Sequence, residues 1–195
     1  MIKFGTGGWR AVIGEAFTKD NVQRLTAALC ALMGEQGDVD RGVCIGYDRR
    51  FLSLEAARWA AEVCAGAGVP CVVLDREAPT PLIMYTVRKR GFPYGMAVTA
   101  SHNPAIYNGV KVFTEGGRDA TEEVTDALER YIEALGDTPI AVIPYADALK
   151  KGLVREINPL NAYIDSILSL VDVDAIKDAG LKIALDPMYG VSRTS

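Results

Sequence analysis

Apolar residues return along the chain at two spacings, and each spacing predicts a different kind of element. Over residues 18–35 they recur at helical spacing, with Val22, Leu25 and Leu29 on one face, and Thr18 stands at the expected N-cap. Similar patterns predict three more helices, over residues 53–66, 81–90 and 121–135.

Short, nearly continuous apolar runs lie between these helices and predict buried β-strands. The runs cover residues 43–47, 69–74, 95–99 and 109–113. Ser53 is the expected cap of the helix after the first run, and Pro81 is the expected first residue of the next helix. Strands that alternate with helices at this spacing predict an α/β fold, a three-layer α/β/α sandwich around a mostly parallel mixed sheet.

The last quarter of the chain predicts a separate, incomplete unit. We expect residues 1–140 to form the first domain and the Gly- and Pro-containing segment 141–158 to be a connector. A helical pattern over 158–171 and an apolar run over 181–185 follow. Because these two elements cannot bury a core alone, residues 159–195 are expected to be the truncated start of a second α/β domain. An unpaired strand favours edge pairing, which predicts self-association of this tail.

The composition is that of a folded globular protein, with 49% hydrophobic and 24% charged residues among 195. A net charge of −4 argues against nucleic acid as a partner. No apolar run approaches the roughly 20 residues that cross a bilayer, and no signal segment opens the chain, so we expect a cytoplasmic protein with no membrane partner. The four cysteines form no Cys-x-x-Cys pair and are expected to be buried free thiols.

A short polar loop after the apolar run 96–98 places a serine beside the one histidine of the chain. Ser101 is followed by His102 and Asn103, and Lys111 lies ten residues further on. A serine hydroxyl is a weak nucleophile, so such a loop predicts an acceptor of phosphoryl or acyl groups only with a base or a reactive electrophile nearby. The donors around it suit a multiply charged phosphoryl group better.

Other interpretations of these polar residues remain open at this point. Ser-His-Asn-Pro is good turn chemistry, so Ser101 taken alone could be a plain turn residue. A serine hydrolase is disfavoured, because there is no Gly-x-Ser-x-Gly elbow and a histidine adjacent to the serine is poorly placed for a triad. Arg10 follows a glycine-rich segment whose backbone can approach an anion closely. Arg49 and Arg50 are expected to tie a loop to a helix rather than to contact substrate.

Three motifs, in this order, resemble the α-D-phosphohexomutases, and more narrowly their phosphoglucomutase/phosphomannomutase branch. The motifs are Phe4-Gly5-Thr6-Gly7-Gly8-Trp9-Arg10, Gly46-Tyr47-Asp48-Arg49-Arg50, and Thr99-Ala100-Ser101-His102-Asn103-Pro104 followed by Asn108-Gly109-Val110-Lys111. The resemblance covers domain 1 of the four-domain architecture of this family and the first elements of domain 2.

The resemblance implies interconversion of hexose 1-phosphates and 6-phosphates, with glucose or mannose as the sugar and hexosamine phosphates left open. Ser101 would carry a phosphoryl group, give it to the substrate to form a bound hexose 1,6-bisphosphate, and take the other one back. Glucose 1,6-bisphosphate is the implied activator, and Mg²⁺ is the implied metal, bound through the phosphate on Ser101. Its remaining ligands are expected beyond residue 195, since Asp172 and Asp174 are interpreted as a helix start.

The same resemblance assigns roles to the residues of the motifs. Ser101, His102, Lys111 and Arg10 are the implied catalytic residues, and Arg10, Asn103 and Lys111 the implied contacts to a hexose phosphate. We take Lys111 as the candidate general base and His102 as a positioning or proton-shuttle residue. The 195 residues alone are expected to be inactive. The alternative is a non-catalytic sugar-phosphate-binding or interaction module with the same fold, which has no need of a phosphoryl acceptor.

Overall fold

The computed structural model describes residues 2–5 and 8–191. They contain seven strands and seven α-helices, joined by turns and loops. The strands are β1 (Trp9–Val12), β2 (Val43–Tyr47), β3 (Cys71–Leu74), β4 (Tyr94–Val98), β5 (Tyr107–Thr114), β6 (Arg118–Asp119) and β7 (Val154–Ile157). The helices are α1 (Lys19–Gln36), α2 (Ser53–Gly66), α3 (Thr80–Arg90), α4 (Glu122–Leu135), α5 (Tyr145–Lys150), α6 (Leu160–Leu168) and α7 (Val173–Asp178).

Seven strands of the described residues form one mixed sheet in the order β1-β5-β4-β2-β3-β7, with β6 beside β5. The neighbours β4, β2, β3 and β7 run parallel to one another, whereas β5 runs antiparallel to β1, β4 and β6. Helices α1, α2, α4 and α5 cover one face of the sheet, and α3 and α6 cover the other. The predicted three-layer α/β/α sandwich with a mostly parallel mixed sheet is confirmed.

Two apolar clusters fill the spaces between these layers. Leu25 and Leu29 of α1 are buried in one cluster with Met96 of β4, and Leu82 of α3 is buried in the other with Phe113 of β5. Burial of each such side chain stabilises the fold by about 1.5–3 kcal/mol, so the apolar faces of the helices hold the layers against the sheet. The apolar positions that predicted the helices are therefore the ones that form the core.

The helix starts agree with the sequence only in part. Thr18 caps α1 as predicted, because its Oγ1 accepts a hydrogen bond from Asn21 N at 3.3 Å. Ser53 is not the cap of α2, since Leu52 occupies that position and the Ser53 hydroxyl donates to Asp48 Oδ1 at 2.7 Å instead. Pro81 lies in the first turn of α3, which begins one residue earlier.

The structure corrects the expectation of a connector over 141–158. This segment contains α5 and β7, and β7 pairs in parallel with β3 at the edge of the sheet. Tyr145 N donates to Glu62 Oε1 at 3.2 Å, and the Arg58 guanidinium lies 5.3 Å from the centroid of the Tyr145 ring. The segment therefore contacts α2. Charged residues inside the short strand (Val154-Arg155-Glu156-Ile157) hide it from an apolar-run pattern. Where a second domain begins stays a prediction.

The strand predicted over 181–185 is absent, although the predicted helix of this tail is present as the shorter α6. Leu181, Ile183 and Leu185 are 66%, 76% and 80% exposed, and the described residues offer this apolar run no neighbouring strand to pair with. A strand needs a partner for its backbone hydrogen bonds, which explains the difference. The self-association expected of this tail stays a prediction. Within the described residues, no helix is long and apolar enough to span a membrane.

Gly109 in β5 and Gly34 in α1 provide a matched test of how closely the strands β1 and β5 pack. A Cβ on Gly109 would lie 2.1 Å from Trp9 O, whereas one on Gly34, on the exposed side of α1, would meet no atom within 4 Å. We expect Gly109→Ala to lower the free energy of unfolding by about 3 kcal/mol. Gly34→Ala should raise it by about 0.5–1 kcal/mol, because alanine favours a helix. Urea unfolding measures both, and equal stability of the two variants would contradict the packing.

The four cysteines provide a second test, because all of them are free and buried as predicted. Burial raises the pKa of the Cys44 thiol to about 12, and the thiolate is the reactive form. N-ethylmaleimide at pH 8 should therefore leave all four unlabelled in the native chain and label all four in guanidinium, as read by intact mass. The exposed thiol of Ser169→Cys is the control and should react at once. Rapid native labelling of the unsubstituted chain would contradict the buried positions.

Candidate active site

Loops that leave the carboxyl ends of three parallel strands meet in one cleft. The loops after β2, β3 and β4 contribute Asp48, Ala78 and Ser101 to its lining, and its volume is about 670 Å³. Ala78 N donates to Tyr47 O at 2.8 Å, which joins the loop after β3 to the end of β2. The carboxyl edge of such a sheet is where α/β proteins bind ligands. The three loops therefore form one candidate binding cleft.

Ser101 lies exposed in this cleft, with a backbone conformation that is rare for a residue with a side chain. Its φ is 55°, in the left-handed region, at a cost of about 1–2 kcal/mol. The turn is held from the strand side, because Thr99 Oγ1 accepts from Ser101 N at 3.0 Å and Thr99 N donates to Gly109 O at 3.0 Å. The strained backbone is therefore held by the buried Thr99, and Ser101 is part of the cleft lining.

His102 and Asn103 stand beside this hydroxyl in different ways. His102 Nδ1 is 3.3 Å from Ser101 Oγ, and its ring is exposed in the cleft lining. Asn103 Oδ1 accepts a hydrogen bond from Arg10 Nη1 at 2.9 Å. Arg10 reaches the loop from β1, which pairs with β5 so that Arg10 is opposite Gly109. The structure thus brings four predicted site residues together: Ser101, His102, Asn103 and Arg10.

Lys111 forms an ion pair with a residue outside this group. It is opposite Ala97 in the β4–β5 register, and its Nζ is 3.2 Å from Asp119 Oδ1 on β6. It lies two residues along β5 from Gly109, which is opposite Arg10. Side chains alternate along a strand, so Lys111 is on the opposite face of β5 from the buried Val110 and Val112. Lys111 does not line the cleft. Proton transfer by Lys111 therefore requires its ammonium to leave Asp119.

Arg50 is a site residue that the sequence pattern did not reveal. Its guanidinium donates to backbone carbonyl oxygens of the serine loop rather than tying its own loop to a helix. The neighbouring Arg49 is exposed and lines the cleft. The signal in the sequence was the Gly46-Tyr47-Asp48-Arg49-Arg50 motif at the end of β2, which includes Arg50 but does not show which atoms it binds.

The described residues do not complete a magnesium site. They hold no cluster of three or more histidines, cysteines or carboxylates that fits a metal ion. Asp48 is a carboxylate in the cleft lining, but its Oδ1 accepts from Arg50 N and from the Ser53 hydroxyl. Asp172 caps α7 through Ala175 N at 2.9 Å, which confirms the interpretation as a helix start. Mg²⁺ takes about six oxygens, so the group present here is insufficient.

Comparison with known proteins relates the chain to one family. Residues 1–138 match the family model described as phosphoglucomutase/phosphomannomutase, alpha/beta/alpha domain I. The phosphoglucosamine mutase of Clostridium novyi is 34% identical over 191 residues, which are 97% of this chain and 40% of that protein. The phosphoglucomutase of Staphylococcus saprophyticus is 29% identical over 202 residues, 98% of this chain and 35% of that protein.

A solved structure supports the same relationship. A protein of Thermus thermophilus that carries a phosphomannomutase name superposes with a TM-score of 0.76 and 32% identity. The match covers 89% of this chain and 37% of that one. The chain thus spans about two fifths of the length of the relatives it matches.

Proposed function

Because the chain belongs to the phosphoglucomutase/phosphomannomutase family, we propose that it supplies the phosphoserine domain of a phosphohexomutase. The reaction is the interconversion of hexose 1-phosphate and hexose 6-phosphate, with glucose or mannose as the sugar. The observation that carries the proposal is the exposed Ser101 in the lining of the cleft, with its backbone in a left-handed conformation. The cleft volume of about 670 Å³ is in the range of small-ligand sites.

In the proposed mechanism one phosphoryl group leaves Ser101 and another returns to it. The bond from phosphorus to Ser101 Oγ breaks as a sugar hydroxyl oxygen bonds to phosphorus, and the proton of that hydroxyl passes to a base. The hexose 1,6-bisphosphate reorients, and its other phosphoryl group passes back to Ser101 Oγ. His102 Nδ1, at 3.3 Å from this oxygen, is suited to exchange a proton with it. Arg10 and Asn103 hold the loop from the β1 side.

Mg²⁺ is part of the proposal only through the family resemblance. Family members generally need it, and the carboxylates that would bind it have to come from outside the described residues. When bound, the ion would neutralise charge on the transferring group. We assign no step of the reaction to it, and we expect the 195 residues alone to lack mutase turnover.

Hexosamine phosphates are the second candidate substrates, favoured by the name of the Clostridium novyi relative. Glucose, mannose and glucosamine differ at the 2-position of the sugar, whereas the cleft residues described above suit the phosphoryl group. Comparison of kcat/KM for the three 1-phosphates with the complete gene product decides among them. A preference for the amino sugar of about 100-fold would replace glucose and mannose in the proposal.

Replacement of the phosphoryl acceptor tests the proposed function directly. After incubation of the complete gene product with glucose 1,6-bisphosphate, intact mass should show a population heavier by one phosphoryl group. Ser101→Ala should lose it, with turnover reduced by at least about 1,000-fold, because the substitution removes the oxygen that accepts the phosphoryl group. Ser169→Ala, which removes an exposed hydroxyl on the tail, is the control. A mutase that works normally without the Ser101 oxygen would contradict the proposal, and absence of any phosphorylated form would favour the binding module.

Replacement of Lys111 tests the proposed general base. Lys111→Met should lower kcat by about 100-fold or more, because a positioned proton acceptor contributes that much. The exposed Lys89, at the end of α3, supplies the matched Lys89→Met control. Turnover of Lys111→Met equal to that of the control would exclude Lys111 and leave the proton transfer to His102.

A further inference from the structure

Arg50 joins the loop after β2 to both ends of the serine loop. Its Nη1 donates to Pro104 O at 3.0 Å and Tyr107 O at 2.9 Å. Its Nη2 donates to Ser101 O at 2.9 Å and Asn103 O at 2.6 Å. A single side chain thus binds four carbonyl oxygens spread over seven residues, one of them belonging to the candidate phosphoryl acceptor.

Arg50 is itself held by a carboxylate. Asp48 Oδ1 accepts from Arg50 N at 2.9 Å, and Asp48 Oδ2 lies 3.5 Å from Arg50 Nε. The guanidinium charge is therefore matched within the protein, and its donors are committed to backbone oxygens. Arg50 is not placed to bind a substrate phosphate.

A buried polar network extends this support to β5. The Ser53 hydroxyl donates to Asp48 Oδ1 at 2.7 Å, and Asn108 Nδ2 donates to Ser53 Oγ at 2.9 Å and to Phe51 O at 3.0 Å. Ser53 and Asn108 are fully buried. Hydrogen bonds of buried polar groups are strong and directional, so Asp48 has little freedom to move. The network explains why Ser53 serves the loop rather than capping its helix.

Only an arginine side chain can make all four of these hydrogen bonds to the serine loop. The guanidinium has five N–H donors in a rigid plane and therefore reaches acceptors on two sides at once. A lysine keeps the charge opposite Asp48, but its ammonium has three donors at one point and cannot bridge oxygens at both ends of the loop. Since a left-handed residue persists only where its surroundings enforce it, the loop depends on such bridging at Ser101.

We propose that Arg50 is a positioning residue for phosphoryl transfer, which keeps the Ser101 hydroxyl where phosphorus is attacked. The proposal rests on the proposed function of Ser101. It differs from a general contribution to folding, because it predicts a local effect on the loop and an effect on kcat rather than on KM.

The first experiment measures amide hydrogen exchange in the 195-residue chain with Arg50→Lys. Asn103 N and Tyr107 N donate within the loop, to Ala100 O and Pro104 O, and report on its order. We expect their exchange to accelerate about tenfold or more, whereas the amide of Ile45 in central β2 keeps its rate. Arg49→Lys, a change of the same kind one residue earlier, should leave the loop amides unchanged. Loop exchange equal to wild type would overturn the proposal, and Arg50→Gln repeats the test without the charge.

The second experiment measures kinetics in the complete gene product. Arg50→Lys should lower kcat about 100-fold with KM within about threefold of wild type, because a displacement of about 1 Å at the nucleophile is enough for such a loss. Normal phosphorylation of Ser101 and normal kcat in this variant would overturn the positioning role alone. Failure of the wild-type protein to accept a phosphoryl group would instead contradict the proposed function, and the positioning role would fall with it.

Discussion

Thr99 N donates to Gly109 O, and this hydrogen bond ends the antiparallel pairing of β4 with β5. Gly109 is closely surrounded at this point, since a Cβ there would lie 2.1 Å from Trp9 O on β1 and 3.0 Å from Thr99 O. Residues 100–106 must then form a short connection at the carboxyl edge of the sheet. The same register places Lys111 opposite Ala97. The pairing of β4 with β5 therefore fixes where the serine loop begins and ends.

Hydrogen bonds from three different parts of the fold hold the serine loop in place. Thr99 supports the backbone of Ser101, Arg10 binds the side chain of Asn103, and Arg50 binds carbonyl oxygens along the loop. Each support comes from a different strand or from the loop that follows it. A hydroxyl fixed in this way loses little freedom when it reacts, which is the main advantage that a protein can offer phosphoryl transfer.

Much of this arrangement could be predicted from the sequence, because long helices and buried strands have strong periodic patterns. The four helices over 18–135 and the central strands were predicted on that basis, and the serine loop was found by its unusual polar residues. β1 was missed because it follows a glycine-rich stretch, and β7 because charged residues interrupt it. The apolar run 181–185 was wrongly predicted as a strand, since a single sequence cannot show whether a pairing partner exists.

The candidate site was predicted less completely, for a physical reason. Ser101, His102 and Asn103 are neighbours in the chain, so their proximity needs no knowledge of the fold. Arg50 acts through backbone oxygens more than 50 residues away, and no side-chain motif encodes such acceptors. Lys111 is near the motif in sequence, yet the strand carries its ammonium to Asp119.

The identity of the phosphorylated atom is the point on which the proposed chemistry depends most. Tandem mass spectrometry of the complete gene product, treated with a hexose 1,6-bisphosphate and cleaved after Arg90 and Lys111, locates that atom in one peptide. We expect all of the bound phosphate on Ser101. Phosphate on Thr99 or Tyr107, which the same peptide contains, or no phosphate at all, would contradict the account.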